Sequence, residues 1–233
     1  ANTLLTLSAA YQKTRMAPFD YGLSTYSNGK FVDGPRSGFY GVDWARGDTD
    51  LSEVYAELSH RFANGWTGQV SMNYRATDLD SKYGYVDGPV DPATDQAAYW
   101  LQFQKDRIRW MGLDTHASGP FTLFGRTHTA MVGANYAERR QDSRSSGAGI
   151  DSIDIHHIDV PEMDIPFTSG NNTKSSQMGV YGQLSFNVAD PLTLIAGGRQ
   201  SWYRNATQPV LPVAGDTRRD PEVRKFVPYF GAV

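Results

Sequence analysis

Trp66-Thr67-Gly68-Gln69-Val70-Ser71-Met72-Asn73-Tyr74-Arg75-Ala76 is the stretch that decides the fold class. Taken at every second residue it separates into two sets. Trp66, Gly68, Val70, Met72 and Tyr74 form one; Thr67, Gln69, Ser71, Asn73 and Arg75 form the other. A period of two puts these sets on opposite faces of a β-strand. One face is wholly polar, and the apolar face has an aromatic at each end. A strand with lipid on one side and water on the other needs that pattern.

The pattern recurs along the chain. Leu5, Leu7, Ala9 and Tyr11 oppose Thr6, Ser8, Ala10 and Gln12, and Val54, Ala56 and Leu58 oppose Glu53, Tyr55, Glu57, Ser59 and Arg61. Ala130, Val132, Ala134 and Tyr136 form a third apolar face, and Met178, Val180, Gly182, Leu184 and Phe186 a fourth. Leu192, Leu194, Ala196, Gly198 and Trp202 form a fifth, which Ile195 interrupts. Ala97–Ala117 reads as one long, less regular strand, and Arg224–Val233 begins another. The sum is about eight strands.

Connections alternate in length. Ala63-Asn64-Gly65, Ser118-Gly119-Pro120 and Val188-Ala189-Asp190-Pro191 read as tight turns. Between them lie segments expected to be long loops, at residues 13–50, 77–96, 139–173 and 206–223. Loops of that length are uncommon in a compact soluble domain but normal on the outer side of a transmembrane barrel. Strict alternation puts every long loop on one side. Tyr11, Tyr74, Tyr136 and Trp202 then fall at the long-loop ends of their strands, and Phe62, Trp66 and Phe186 at the short-turn ends. These are the two aromatic belts of a membrane span. The expected fold is all-β, an antiparallel transmembrane β-barrel.

Composition narrows the function classes. The chain has 233 residues, no cysteine and a formal net charge of −3. There is no disulfide framework and no Cys-ligated metal site. No basic footprint marks nucleic acid as a partner. No run of about 18 apolar residues signals a transmembrane helix. The first residues lack the charged and apolar regions of a signal peptide. A strand pattern starts at residue 3, and another runs into Val233. A closed eight-stranded barrel should end on a complete strand, so the expectation is a central slice of a larger barrel.

The run Val180-Tyr181-Gly182-Gln183-Leu184, Asp190-Pro191-Leu192-Thr193-Leu194 and Gly197-Gly198-Arg199 resembles a hairpin of TonB-dependent siderophore receptors. Further points of resemblance are Phe124-Gly125-Arg126-Thr127-His128 before Val132-Gly133, and His60-Arg61-Phe62 before Asn64-Gly65-Trp66. Leu4-Leu5-Thr6-Leu7 before Tyr11-Gln12-Lys13, and Asp43-Trp44, also fit. As an ordered set they resemble the ferric pyoverdine and ferric hydroxamate (coprogen-type) branch. The resemblance implies a roughly 22-stranded barrel around an N-terminal plug, sited in the bacterial outer membrane. It implies uptake of a ferric siderophore, energised by the TonB complex through a plug and TonB box that this sequence does not contain. Iron would enter inside the chelate, with no cofactor of the protein's own. Outer-membrane lipid is the other expected partner. Two other readings are a small outer-membrane barrel of different function (adhesin-like or enzymatic) and a soluble β-rich binding domain.

No catalytic motif is present: there is no G-x-S-x-G, no phosphate loop and no H-E-x-x-H. No enzyme is expected. His60 and His128 fall near strand ends and read as interfacial. Asp151–Asp159, with His156 and His157, is the best metal candidate, with Glu162 and Asp164 nearby. Adjacent histidines on an extended chain point opposite ways, however, so a solvated loop is the preferred reading. Ligand binding is better served by aromatic area and guanidinium donors on the loops and upper lumen. The residues favoured are Trp44, Trp100, Tyr85, Tyr40, Tyr26, Arg139 and Arg140, with Tyr21, Phe39 and Tyr83 as further candidates. Glu53, Glu57, Arg61, Arg75 and Arg199 read as cross-strand partners on the polar wall.

Overall fold

The computed structural model describes residues 2–35 and 37–233. Its strands are β1 (Thr3–Met16), β2 (Arg46–Arg61), β3 (Thr67–Val86), β4 (Gln96–Leu123), β5 (Arg126–Asp154), β6 (Ser169–Ala189), β7 (Leu192–Leu211), β8 (Arg218–Arg219) and β9 (Val223–Ala232). Each of β1 to β7 pairs antiparallel with the next, and β8 and β9 both pair with β7. β1 pairs only with β2 and β9 only with β7 among the described residues, so both edges of the sheet are open.

Register aligns the apolar faces. Tyr74 stands opposite Val54 and Met111, and Met72 opposite Ala56 and Leu113. Ala134 stands opposite Thr115 and Val180, and Tyr136 opposite Leu113 and Met178. This common face is not a dry interior: Val70 is 47% exposed, Val132 60% and Val180 45%. The total accessible area is 14757 Å². A compact soluble protein of 25.8 kDa would expose about 10,500 Å². The sheet therefore presents a broad apolar surface outward, as a barrel wall does to lipid. A soluble β-domain with these side chains sealed inside is ruled out.

The loops are shorter than the sequence suggested, because the strands continue past the membrane. A barrel strand needs about 9–11 residues to cross, yet β4 has 28 and β5 has 29. The expected loops 13–50, 77–96, 139–173 and 206–223 shrink to residues 17–45, 87–95, 155–168 and 212–222, the last containing β8. Above the apolar band alternation is carried by mixed polar residues, which hid these extensions. The expected turn at Ser118-Gly119-Pro120 is also displaced. β4 runs through it to Leu123, and the chain reverses at Phe124-Gly125, whose φ values are 51° and 74°. Two successive left-handed residues are what a two-residue hairpin turn requires. Gly119 instead makes room for Trp66: a Cβ there would sit 2.4 Å from the indole, whose Nε1 donates to the Pro120 carbonyl at 3.1 Å.

The buried core lies wholly at the loop end. Val42, Ala45, Val86, Val90, Ala97, Tyr99, Leu101 and Ile155 form it. Segments 17–45, 87–95 and 155–168 pack there against the tall ends of β3, β4 and β5. Three of the expected long loops thus form a packed cap.

Candidate ligand site on the polar face

Strand parity puts Tyr83, Tyr85 and Trp100 on the polar face, above the membrane-crossing band. Tyr85 stands directly opposite Trp100 in the β3–β4 ladder. From the 17–45 segment, Phe19 and Tyr21 fold onto the same spot. Phe19 and Tyr21 each approach the Tyr83 ring at 5.3 Å, and Tyr21 approaches Tyr85 at 5.8 Å. Trp100 can stand where it does because β5 offers Gly147: a Cβ there would lie 2.4 Å from the indole. Trp100 Nε1 donates to Gln102 at 3.1 Å. Burial, and next the hydrogen bond with Tyr21, push the Tyr83 phenol up to about 12. It therefore stays protonated at any physiological pH. Tyr21 remains 67% exposed. The result is an aromatic wall of phenol and indole rings, open on one side, with the Trp100 N–H already engaged by Gln102.

Lower on the same face Trp110 stands opposite Arg139. Gly112 leaves room for the Trp110 ring, 2.6 Å from where a Cβ would be. Below this pair the face is a polar ladder. Arg75 bonds Glu53 at 2.7 Å, directly across β2–β3. Tyr181 reaches over Gly133 to Asp114 at 3.0 Å, and Arg199 reaches over Gly179 to Asn135 at 2.9 Å. Each of these last two contacts spans two strand spacings, which glycine on the intervening strand or beneath the guanidinium permits.

The structure sorts the sequence candidates into three groups. Tyr85, Trp100 and Arg139 share the polar face, with Tyr21 and Tyr83. Trp44, Tyr40 and Tyr26 belong to the packed cap. Trp44 packs edge-on to Phe103 and donates to the Val160 carbonyl at 2.7 Å. The Tyr40 carbonyl accepts from Tyr99, and its amide from the chain is held by Asp20. Tyr26 donates to Asp95 at 2.9 Å. Arg140 is on the opposite, apolar-band face, bonded to Glu138 at 2.7 Å. Phe19, Trp110 and Tyr181 went unselected in the sequence. For Tyr181 the signal was an aromatic of the polar set facing Gly133 on the neighbouring strand, which needs the register to be seen; Trp110 leans over Gly112 of its own strand, and Phe19 reaches Tyr83 from the 17–45 segment.

His156 Nε2 lies 3.1 Å from Asp95, and these two contacts, His156 before Tyr26, hold the Asp95 carboxyl below its ordinary range. The arrangement ties three loop segments together. Among the described residues no three metal-ligating side chains converge. Of the five wall charges, Arg75 and Glu53 form the expected cross-strand pair. Glu57 takes hydrogen bonds from Tyr55 and Gln69 instead, and Arg199 bonds Asn135 and Ser201.

A family model described as "TonB dependent receptor-like, beta-barrel" matches residues 2–233. The ferripyoverdine receptor of Pseudomonas aeruginosa is 29% identical over the whole chain, which spans 29% of that receptor. The ferric-pyoverdine M114 receptor of Pseudomonas sp. strain M114 is 26% identical over the whole chain, which spans 30% of it. Among solved structures, the P. aeruginosa outer-membrane ferripyoverdine receptor bound to ferripyoverdine superposes with a TM-score of 0.79. Identity there is 26%, over 99% of this chain and 31% of the other. The chain thus spans somewhat under a third of the relatives it matches. With outward apolar band, polar inner face and whole-length match in agreement, this chain belongs to the TonB-dependent receptor β-barrel family and forms part of an outer-membrane barrel wall.

Proposed function

We propose that the receptor containing this wall takes up a ferric siderophore of the pyoverdine type, and that the Tyr85–Trp100 wall is one side of its entry site. The observation that supports this is the opposition of these two rings on the polar face, roofed by Tyr21 and Phe19. A ferric siderophore is bulky and carries flat and polar arms. Rigid rings give contact area at low entropic cost, and phenol groups such as that of Tyr85 give directed hydrogen bonds. Arg139, below the wall beside Trp110, adds a charge-assisted donor on the path inward. Iron is cargo inside the chelate. Energy would come from the TonB complex, acting through a plug seated against the polar ladder of Arg75, Glu53, Tyr181 and Arg199.

The test uses cells deprived of iron and lacking their own copy of the gene. Growth on single ferric siderophores should be restored by the complete receptor for a pyoverdine and not for an unrelated catecholate. Trp100→Ala and Tyr85→Ala should each weaken binding about 10-fold, the order expected for a lost aromatic anchor. Equal growth on every ferric siderophore with and without the gene would overturn the proposal.

A further inference from the structure

Followed upward, the membrane-side face of β4 changes character twice. Ala117, Thr115, Leu113 and Met111 come first; then Arg109, Arg107 and Lys105; then Phe103, Leu101 and Tyr99. The first set faces lipid, and the third is covered by the loop cap. The cap does not seal the middle set: Lys105 and Arg107 are exposed and Arg109 is half-buried. β5 repeats the order, with Val132, Ala134 and Tyr136 below and Arg140, Asp142 and Arg144 above. At a rise of about 3.3 Å per residue, Arg107 and Arg140 stand about 13 Å along the strand beyond Met111 and Tyr136. That is headgroup height, just outside the aromatic belt.

A groove of about 640 Å³ opens here, lined among others by Arg107, Arg109, Arg140, Lys174 and Arg219. Asp142 is its one carboxylate, and Arg144 holds it at 2.5 Å. Arg109 bonds Asp78 at 3.0 Å, and Arg140 and Lys174 share Glu138 at 2.7 and 3.0 Å. Six cations, counting Arg144, therefore meet three carboxylates. Arg107 and Arg219 have no carboxylate within ion-pair reach among the described residues. Positive charge in excess, on the lipid side of a barrel at headgroup height, is complementary to one thing the membrane supplies: phosphate esters.

We propose that this groove binds a phosphate of a phosphorylated glycolipid in the outer leaflet. Arg107 and Arg219 supply the unpaired guanidinium groups, and Arg109, Arg140 and Lys174 complete the cradle. Guanidinium is suited to phosphate because it offers parallel donors in a fixed fork. The bound headgroup would also fill the uncovered window between lipid and cap. It would thereby link β4, β5, β6 and the 212–222 segment at the one level where no loop does so.

The test uses the complete receptor in mild detergent and native mass spectrometry. The probes are bis-phosphorylated lipid A, dephosphorylated lipid A and inorganic phosphate. Wild type should retain lipid A through detergent exchange. Arg107→Glu with Arg219→Glu should lower its affinity at least 10-fold, and dephosphorylated lipid A should bind wild type as weakly. Lys13→Glu, a single charge reversal in register with Arg107 on the same face of β1, should leave affinity unchanged. Folding is read by heat-modifiable gel mobility; if the Glu pair fails to fold, the Gln pair replaces it. Lipid A binding equally to wild type and double variant overturns the proposal. So does inorganic phosphate displacing lipid A at equal concentration, which would make this a free-anion site. Siderophore affinity measured on the same variants should not change, which keeps this result separate from the entry-site reading.

Discussion

Val132 and Met131 are neighbours in sequence and, on this structure, in different solvents. Val132 lies on the apolar face of β5, midway between His128 at the short-turn end and Tyr136 at the belt. Those eight residues, tilted about 40°, rise roughly 21 Å, close to the height of an outer-membrane apolar band. Val132 is therefore at mid-bilayer, and at 60% exposure it packs little against protein. Were that surface in water, Val132→Arg would change stability by no more than about 0.5 kcal/mol. In lipid it should cost about 2–4 kcal/mol, which shifts the folding equilibrium roughly thirty- to several-hundred-fold. Met131→Arg puts the same group on the polar face, between Ser118 and Gln183, and should cost less than about 1 kcal/mol. The assay is urea titration of the complete receptor in phospholipid vesicles, with heat-modifiable mobility reporting folded barrel. Equal costs at the two positions, or a larger cost for Met131→Arg, would refute the assignment of faces and everything built on it.

Gly147→Val should push the Trp100 ring aside, since the new Cβ would start 2.4 Å from it; ligand affinity should fall about as far as for Trp100→Ala, and unchanged affinity counts against the wall as the contact surface. Glu162 bonds Lys82 and Arg46, each at 3.0 Å, and these cations, Lys82 foremost, hold its carboxyl below the ordinary range. The tether is therefore complete above the ordinary carboxylate range and lost as pH falls through the lowered value, so hydrogen exchange in 155–168, corrected for intrinsic rate, should rise only below that range; Glu162→Gln should exchange fast at every pH, and a tether that loosens between pH 7 and 5 contradicts this sign. Expressed alone, the 233-residue chain should associate through the free edges of β1 and β9, so a stable monomer by sedimentation in detergent would show that the edges are satisfied some other way.

The membrane-crossing part was legible because physics there is binary. Lipid or water faces each residue, so Val70, Met72, Val132 and Val180 could be assigned from alternation alone. Legibility stopped where both faces meet water or protein. Tyr83–Val86 and Gln141–Asp154 are strand, yet their alternation mixes serines, glycines and charges, which reads as loop. Trp100 and Tyr85 were found as aromatic outliers and proved to be strand partners; Trp44, Tyr40 and Tyr26 were found by the same signal and proved to hold the cap together. Composition cannot separate an aromatic that waits for a ligand from one that packs a loop. The fold can: Tyr85 and Trp100 stand as opposite partners on the polar face, whereas Trp44, Tyr40 and Tyr26 are tied by hydrogen bonds into the cap.

The same reasoning explains why β4 and β5 are so long. A strand that only crossed the membrane would end near Met111 or Tyr136, and its loop would have to supply the proposed ligand surface unaided. By continuing for a further ten or so residues, roughly 30 Å, the ladder carries Trp100 and its Gly147 platform upward on hydrogen-bonded backbone. Positional precision is then inherited from the sheet and not from loop packing. The outer face of the extension has lost its lipid but keeps apolar residues such as Leu101 and Tyr99, so it must be covered. The loops that cover it are anchored by Trp44 to the Val160 carbonyl and by Arg46 and Lys82 to Glu162. Cap and proposed ligand wall are thus two sides of one extended sheet. A substitution that strips the cap, such as Leu101→Asp, should therefore disturb siderophore affinity from the far side of the wall.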